Sequence, residues 1–396
     1  MTHPVHDLPD VLRPAVEKYR DEAEALGRLP EELVRELREH GAFRLYTPRE
    51  LGGHEATPAV VLELLTRLAR LDGPTAWTVW NLNLGFVAGL LGPERAEEVF
   101  GGGRDPLIAN SGQPGRMSPA EGGFRLTGTW KIVSGAHLAD WFLLAGMLPA
   151  GPGTSGWGAG LFFCLVPRDA VTVLDTWDVA GMRASDSNSV TADEVFVPSD
   201  LAFSLFAPNR LDRPAYRLPT VNVVFPGCAA VLIGMAQAAV DELVRLAGGK
   251  TAFTGEPLAA MESTQVAVGR AAAQVAAARG LLLSTAGELD RTTAAGRETT
   301  EEQRAAVRGA IAHVTETART VLVSMYATAS SGSALHDQPA GPHLPRRNGR
   351  RAGREPLHGA VVAAGPDPAR PAGGGALRLT ARALTPVAMF PCRDHG

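Results

Sequence analysis

The sequence is poor in cysteine. Its 396 residues contain three, Cys164, Cys228 and Cys392, far apart and without the spacing of metal ligands. A disulfide framework is thereby excluded, and a reducing compartment is implied. Charge of one sign is also lacking. The 38 basic and 42 acidic residues are interspersed and leave a formal net charge of −4, so the basic stripe of a nucleic-acid binder is missing. Residues Met1 to Asp7 lack the charged-then-apolar order of a secretory signal, and no uninterrupted apolar run is long enough to span a bilayer. A cytoplasmic protein with neither nucleic-acid nor membrane partners is the expectation. No phosphate-cradling loop or nicotinamide fingerprint occurs at a strand-to-helix turn. Gly151-Pro-Gly-Thr-Ser-Gly156 matches G-x-G-x-x-G in letters only, because it contains a proline, lies between strands and opens no helix.

What is present is a large apolar fraction, 45%, against 20% charged residues. A chain of this length with that balance can bury a core and form two or three domains. Its organising stretch runs from Ile108 to Pro198. Alternation through Phe124, Leu126, Trp130 and Ile132 has the period of a half-buried strand. Short runs follow at Trp141 to Met147, Leu161 to Val166, Val171 to Leu174 and Val190 to Val197, bounded by Gly, Pro, Asp or Ser. This predicts a small antiparallel sheet. Its polar loops are read as Asn110-Ser-Gly112, Ser134-Gly135 and Gly181 to Ser189.

Helical patterns flank the sheet. Asp10 to Gly41 is helical, with Pro30 suited to a first turn and Gly41 to a stop. Thr57-Pro58 is an N-cap and first-turn pair for a helix with Val60, Val61, Leu64, Leu65 and Leu68 on its apolar side, and Gly73-Pro74 ends it. Trp77 to Leu91 reads as one buried helix, and Pro93 opens another ending near Phe100. After Pro219 come helices from about Val221 to Leu246, Leu258 to Leu289 and Thr300 to Ser331, the pattern of an up-and-down bundle. Their alanine content allows close approach and leaves apolar sides suited to oligomer contacts. The tail from Gln338 is rich in Arg, Gly, Pro and Ala, a disordered composition. The expected class is α+β: an N-terminal helical domain (1–105), a central antiparallel β domain (106–212), a C-terminal helical bundle (213–337) and an atypical tail (338–396).

That order, with Trp130-Lys-Ile-Val-Ser-Gly-Ala136 and Ala139-Asp-Trp141 in the sheet, resembles the acyl-CoA dehydrogenase superfamily. Within it, the chain is similar to the flavin-dependent monooxygenases, the hydroxylase components of two-component systems. The likeness runs from Leu29 to Asp337. It rests on Phe43-Arg-Leu-Tyr-Thr-Pro-Arg-Glu-Leu-Gly-Gly53, Asp72-Gly-Pro-Thr-Ala-Trp77, Gly181-Met-Arg-Ala-Ser-Asp-Ser187 and Asp193-Glu-Val-Phe-Val-Pro198. The resemblance implies a reduced flavin, FMN or FAD, between the β domain and the bundle. It places Asn110, Ser111, Gly112, Ile132, Ser134 and Arg279 at the cofactor, with Ser134 also catalytic through the flavin N5. For Arg279 an ion pair within the bundle stays open. The implied reaction is oxygenation of an aromatic or polyketide-like small molecule, or of an amine nitrogen. Without a nicotinamide site, a separate NAD(P)H:flavin reductase must supply the reduced flavin. A homotetramer is implied.

From the residues alone, Ser134 reads as a turn cap, Trp141 as core, Trp130 as either core or stacking residue, and His137 as a solvated loop histidine with a minority catalytic reading. Arg183 and Asp186 read as an ion pair. The superfamily's dehydrogenases need a carboxylate base, in many members in a Tyr-x-Gly-Thr-type element near the C-terminus, and none follows Ser331. An acyl-CoA dehydrogenase and an inactive relative remain the rivals. The tail departs from the family after Ala334-Leu-His-Asp337. Codons for Gln338 to Gly353 can be chosen whose +1 frame reads Ser-Pro-Leu-Gly-Arg-Thr-Phe-Arg-Asp, which resembles the family continuation, so a frameshift near codon 338 is the hypothesis. His336, His343 and His358 then take no family role.

Overall fold

The computed structural model describes residues 4–149, 160–252 and 255–329. The loop 151–156 and the tail from 338, with its frameshift hypothesis, lie outside the described residues. The chain opens with α1 (Leu8–Leu26) and α2 (Glu31–Glu39), the latter entered through Pro30 as foreseen. Next comes α3 (Pro58–Leu71), with Thr57 in extended geometry at its N-cap. Then follow α4 (Gly73–Leu82) and α5 (Pro93–Phe100).

The predicted Trp77–Leu91 helix stops at Leu82. Asn83 leaves the helical path and ties the chain to the Ala42–Leu45 segment. Its side chain accepts from Leu45 N at 3.1 Å and donates to Ala42 O at 2.7 Å. Gly85 then lies so close to Thr47 that a Cβ there would meet the threonine Oγ1 at 2.2 Å. Only a short 3-10 turn, Gly85–Gly89, continues the run.

Among the described residues the central sheet has seven strands: β1 (Ile108–Ala120), β2 (Gly123–Val133), β3 (Trp141–Met147), β4 (Leu161–Pro167), β5 (Thr172–Leu174), β6 (Asn188–Pro198) and β7 (Ala202–Phe203). Their order is β5-β6-β2-β1-β3-β4-β7. Two expectations change here. Asn110, Ser111 and Gly112 lie inside β1 and not in a loop, although the β1–β3 register shifts between Ser111 and Gly115. The sheet is also mixed: β1 and β3 are parallel, Ile108 facing Trp141, while the other pairs are antiparallel. The cause is the segment from Ser134 to Asp140. It leaves β2, passes the start of β1 and delivers the chain to β1's far side. Asp140 N and Trp141 N both donate to Leu107 O, at 2.8 and 3.2 Å.

Trp130 settles as core. It is fully buried, and its indole N–H donates to Ala145 O at 3.0 Å. Its ring occupies the space a Cβ would need at Gly115 or Gly128. Trp141 is half-buried and packs on the same core.

After the sheet, α6 (Thr220–Val224) leads into α7 (Pro226–Ala247), α8 (Glu262–Ala294) and α9 (Glu301–Ala329). α7 packs against α3, α8 and α9, and α4 bridges α7 to β1. Two helical stretches, Thr220–Ala247 and Glu262–Ala294, have the length and apolarity of a membrane span. The sequence reading found no such run. The first is 67% buried and is the bundle's core helix; the second is rich in alanine, which raises mean hydropathy without bulk. The boundaries proposed at 105 and 212 fall in the links between α5 and β1 and between β7 and α6.

Candidate active site

The crossover after β2 begins with a distorted backbone. Ile132 has φ 58°, the left-handed region, and the β2–β6 register shifts between Trp130 and Val133. For a β-branched residue this is a true outlier, costing about 1–2 kcal/mol. The bulge turns the Ile132 side chain outward, and it is 50% exposed. Strain kept at one exposed apolar side chain marks a place where a ligand can rest.

Ser134 follows two residues later. Antiparallel pairing of Val133 with Asn188 sets Ser134 opposite Ser187, and their hydroxyls meet at 2.8 Å. Ser187 also meets Ser185 at 2.7 Å. All three serines are buried. On its other side Ser134 accepts the indole N–H of Trp77 at 3.0 Å. A hydroxyl has one proton and two lone pairs, so Ser134 retains one free valence.

The segment before β6 locks this turn. Gly135 N donates to Ser185 O at 2.9 Å and Ala136 N to Asp186 O at 3.2 Å. Asp186, buried and left-handed at φ 51°, accepts from His137 N at 2.7 Å and from Asn188 Nδ2 at 2.8 Å, and its carboxylate meets His137 Nδ1 at 2.7 Å. This corrects two expectations. His137 is not a free loop histidine; its Nε2 also lies 3.2 Å from Asp175. Asp186 does not pair with Arg183, whose guanidinium turns to Asp178 at 3.8 Å and to the carbonyls of Glu24 and Val179. The reason is direction: Asp186 faces the Ser134 turn, and Arg183 faces α1.

Helix α4 forms the facing wall. Asp72 caps its N-terminus, accepting from Thr75 N at 2.9 Å and Thr75 Oγ1 at 2.7 Å. Burial nevertheless pushes the Asp72 carboxyl above its ordinary range. Trp77 and Asn81 are one helical turn apart on one face. Trp77 reaches Ser134, and the carbonyl of Asn81 accepts from Asn110 Nδ2 at 3.0 Å. Trp77 and Trp80 meet edge to face, centroids 4.8 Å apart, and Trp80 Nε1 donates to Val224 O at 2.9 Å. Thus α4 ties β2, β1 and α6 to one place.

Of the six predicted cofactor residues, Ser134 and Asn110 share the α4 wall. Ser111 is buried in the same strand and accepts from Gln113 N at 3.4 Å, and a Cβ at Gly112 would face open space. Ile132 stands exposed two residues before Ser134. Arg279 is elsewhere. It lies on α8 in an ion pair with Glu63 of α3, at 2.5 Å, so its partner is an N-terminal helix and not the bundle. Ser187 and Trp77 were not singled out as site residues from sequence. Only the strand register could have pointed to Ser187. A flat ring needs an apolar support, room and a polar edge. Ile132, the open side of Gly112 and the free valence of Ser134 offer these, so the residues fit a flavin ring.

Helices, mixed sheet and helical bundle in this order, with a wired serine at the end of the central strand β2, define an acyl-CoA dehydrogenase-type fold. Residues 8–93 match the family model described as acyl-CoA dehydrogenase, N-terminal domain, and residues 227–340 match acyl-CoA dehydrogenase, C-terminal domain. The chain is 30% identical over 315 residues to the flavin-dependent monooxygenase, oxygenase subunit HsaA, of Mycobacterium tuberculosis, covering 76% of this chain and 78% of that protein. It is 30% identical to the FADH(2)-dependent resorcinol hydroxylase, oxygenase component, of a Rhizobium species, over 66% of this chain and 67% of the other. The crystal structure of 3-HSA hydroxylase from Rhodococcus sp. RHA1 superposes with a TM-score of 0.78 at 26% identity, covering 86% of this chain and 89% of that one. The chain belongs to the flavin-dependent monooxygenases of the acyl-CoA dehydrogenase superfamily.

Proposed function

We propose that this protein is the oxygenase component of a two-component system, accepting reduced flavin from a separate NAD(P)H:flavin reductase and hydroxylating an aromatic small molecule. The observation that carries the reading is the Ile132–Ser134 turn: an exposed apolar residue held in a strained conformation, next to a buried hydroxyl with one valence free. Ile132, Asn110, Ser111 and Gly112 would hold the ring, and Ser134 would meet its N5 edge. Bound reduced flavin supplies the reaction with O₂ that delivers one oxygen atom to the substrate. The chain's part is placement and exclusion of water. Ser134 presents a hydrogen bond in a site screened from solvent, where such a bond is stronger than in water. Trp77 and Trp80 give an aromatic wall suited to an aromatic substrate. Arg279 keeps its ion pair and stays out of the cofactor set. A cytoplasmic homotetramer remains part of the reading, with the alanine-rich side of α8, where Val266 and Leu281 are exposed, covered by a second copy.

Absorbance after anaerobic mixing tests the reaction class. With oxidised flavin bound, neither NAD(P)H nor an acyl-CoA thioester should bleach it, whereas chemically reduced flavin should bind and be reoxidised once O₂ is admitted. Bleaching by an acyl-CoA thioester would establish a dehydrogenase instead.

A further inference from the structure

We infer that Ser187 is a positioning residue that lets the Ser134 site accept a ring whose edge nitrogen carries a hydrogen as readily as one whose nitrogen is bare. The inference rests on the proposed placement of Ser134 at the N5 edge. Trp77 can only donate, so its indole N–H, at 3.0 Å, always occupies one Ser134 lone pair. The 2.8 Å link to Ser187 carries one proton, in either direction. When Ser187 donates, both Ser134 lone pairs are used, and Ser134 can only donate outward. That suits a bare ring nitrogen, as in oxidised flavin. When Ser134 donates to Ser187, one Ser134 lone pair faces outward. That suits an N–H, as in reduced flavin.

Ser187 can take part in both states because its hydroxyl has a second partner, Ser185, at 2.7 Å. The relay is held from behind by the bonds from Gly135 N and Ala136 N and by the grip of Asp186 on His137 and Asn188. Without Ser187 the two ring forms become unequal. Against a bare nitrogen, Ser134 accepts from Trp77 and donates to the ring, and its proton is placed. Against an N–H, Ser134 accepts twice, and its own proton is buried without an acceptor, a costly state. Removing Ser187 therefore penalises the reduced form alone. That is the form an oxygenase fed by a separate reductase must capture from solution.

Anaerobic titration of wild type, Ser187→Ala, Ser187→Thr, Ser185→Ala and Ser134→Ala with FMN and FAD, each oxidised and dithionite-reduced, tests this. Ser187→Ala is expected to weaken reduced-flavin binding roughly tenfold and leave oxidised binding within about twofold. A tenfold change confined to the reduced form lowers the bound flavin's two-electron midpoint potential by about 30 mV. Ser187→Thr restores the hydroxyl and should restore the potential. Ser185→Ala, one link further out, should give a smaller shift of the same sign. The readout is the ratio between the two forms, which a partly unfolded sample does not change. If Ser134→Ala weakens binding but Ser187→Ala changes both forms equally or neither, the inference is overturned alone. If Ser134→Ala changes neither form, the placement of Ser134 at the ring is wrong and the inference falls with it.

Discussion

The Ser134 turn and helix α8 are built in opposite ways. Around the turn, buried polar groups are paired with one another, and Ile132, Met182 and Asp186 hold left-handed backbones. Along the middle of α8 the inward positions are Ala271, Val275, Ala278, Leu282, Ala286 and Leu289, all apolar. The turn spends strain and polar wiring on holding a few atoms in fixed directions. The helix tolerates a loose apolar exterior, with Leu281 exposed one residue from buried Leu282. Substitutions in the two regions should therefore separate: those at the turn change ligand binding as well as stability, and those on the helix change stability alone.

The largest effect is expected at Asp186. Asp186→Ala removes an acceptor shared by His137 and Asn188 and leaves their buried donors unpaired, costing about 3–5 kcal/mol in urea unfolding. Asp186→Gly loses the same carboxylate but suits the left-handed backbone, so it should be milder by about 1 kcal/mol. Equal losses would show that the backbone geometry carries no strain.

Asp105 belongs to neither region and gives the next effect. It sits in the link before β1, where Arg38 donates to its carbonyl at 2.8 Å and Arg44 lies 3.8 Å from its carboxylate. Burial outweighs these arginines and raises its pKa from 3.8 to about 6. The native carboxyl thus binds its proton more tightly than the unfolded one, so stability falls as pH rises from about 4 through 6. At pH 7 the cost is about 3 kcal/mol, two pKa units at about 1.36 kcal/mol each. Asp105→Asn should flatten that slope and raise the melting temperature at pH 7. An unchanged slope would assign the pH dependence to other groups.

On α8, Ala278→Leu forces a larger side chain into a fully buried position and should cost about 1–3 kcal/mol. Flavin affinity of the folded protein should not change; a loss would erase the contrast between helix and turn. The smallest stability change is expected at Ile132. Ile132→Gly releases about 1–2 kcal/mol of left-handed strain and loses about 0.5–1 kcal/mol to backbone entropy. The variant should melt at or slightly above the wild-type temperature while binding flavin more weakly. A variant that binds flavin unchanged would show that Ile132 supports nothing.

Much of the fold was legible because local patterns agreed with the tertiary structure. Trp141–Met147 is a strand as read, and Thr57-Pro58 and Pro93 open helices as read. β1 was not, because Asn110-Ser-Gly-Gln-Pro-Gly115 has neither apolar alternation nor β-branched residues, and pairing with β3 at Asn110, Ser111 and Gly115, continued by pairing with β2 from Arg116, overrides that composition. The parallel β1–β3 pair was hidden for a different reason: a short link after a strand ordinarily makes a hairpin, and only the chain's passage past the start of β1 shows otherwise. At the site, Ser134 was visible through family likeness. Its partners Ser187 and Trp77 lay in the segments that carry the likeness but drew no site role from it, since strand register and helix placement join them across the sequence. The proximity of Arg183 and Asp186 in sequence suggested a pair that the left-handed turn at Asp186 prevents.

The most direct test is a crystal structure of the protein grown anaerobically with reduced FMN or FAD. The proposed assignment predicts the ring lying against Ile132 with its N5 edge within hydrogen-bond distance of Ser134 Oγ, and Trp77 still donating to that oxygen. A ring bound away from the β2–α4 wall, with Ser134 buried as it is now and Ile132 untouched, would contradict it.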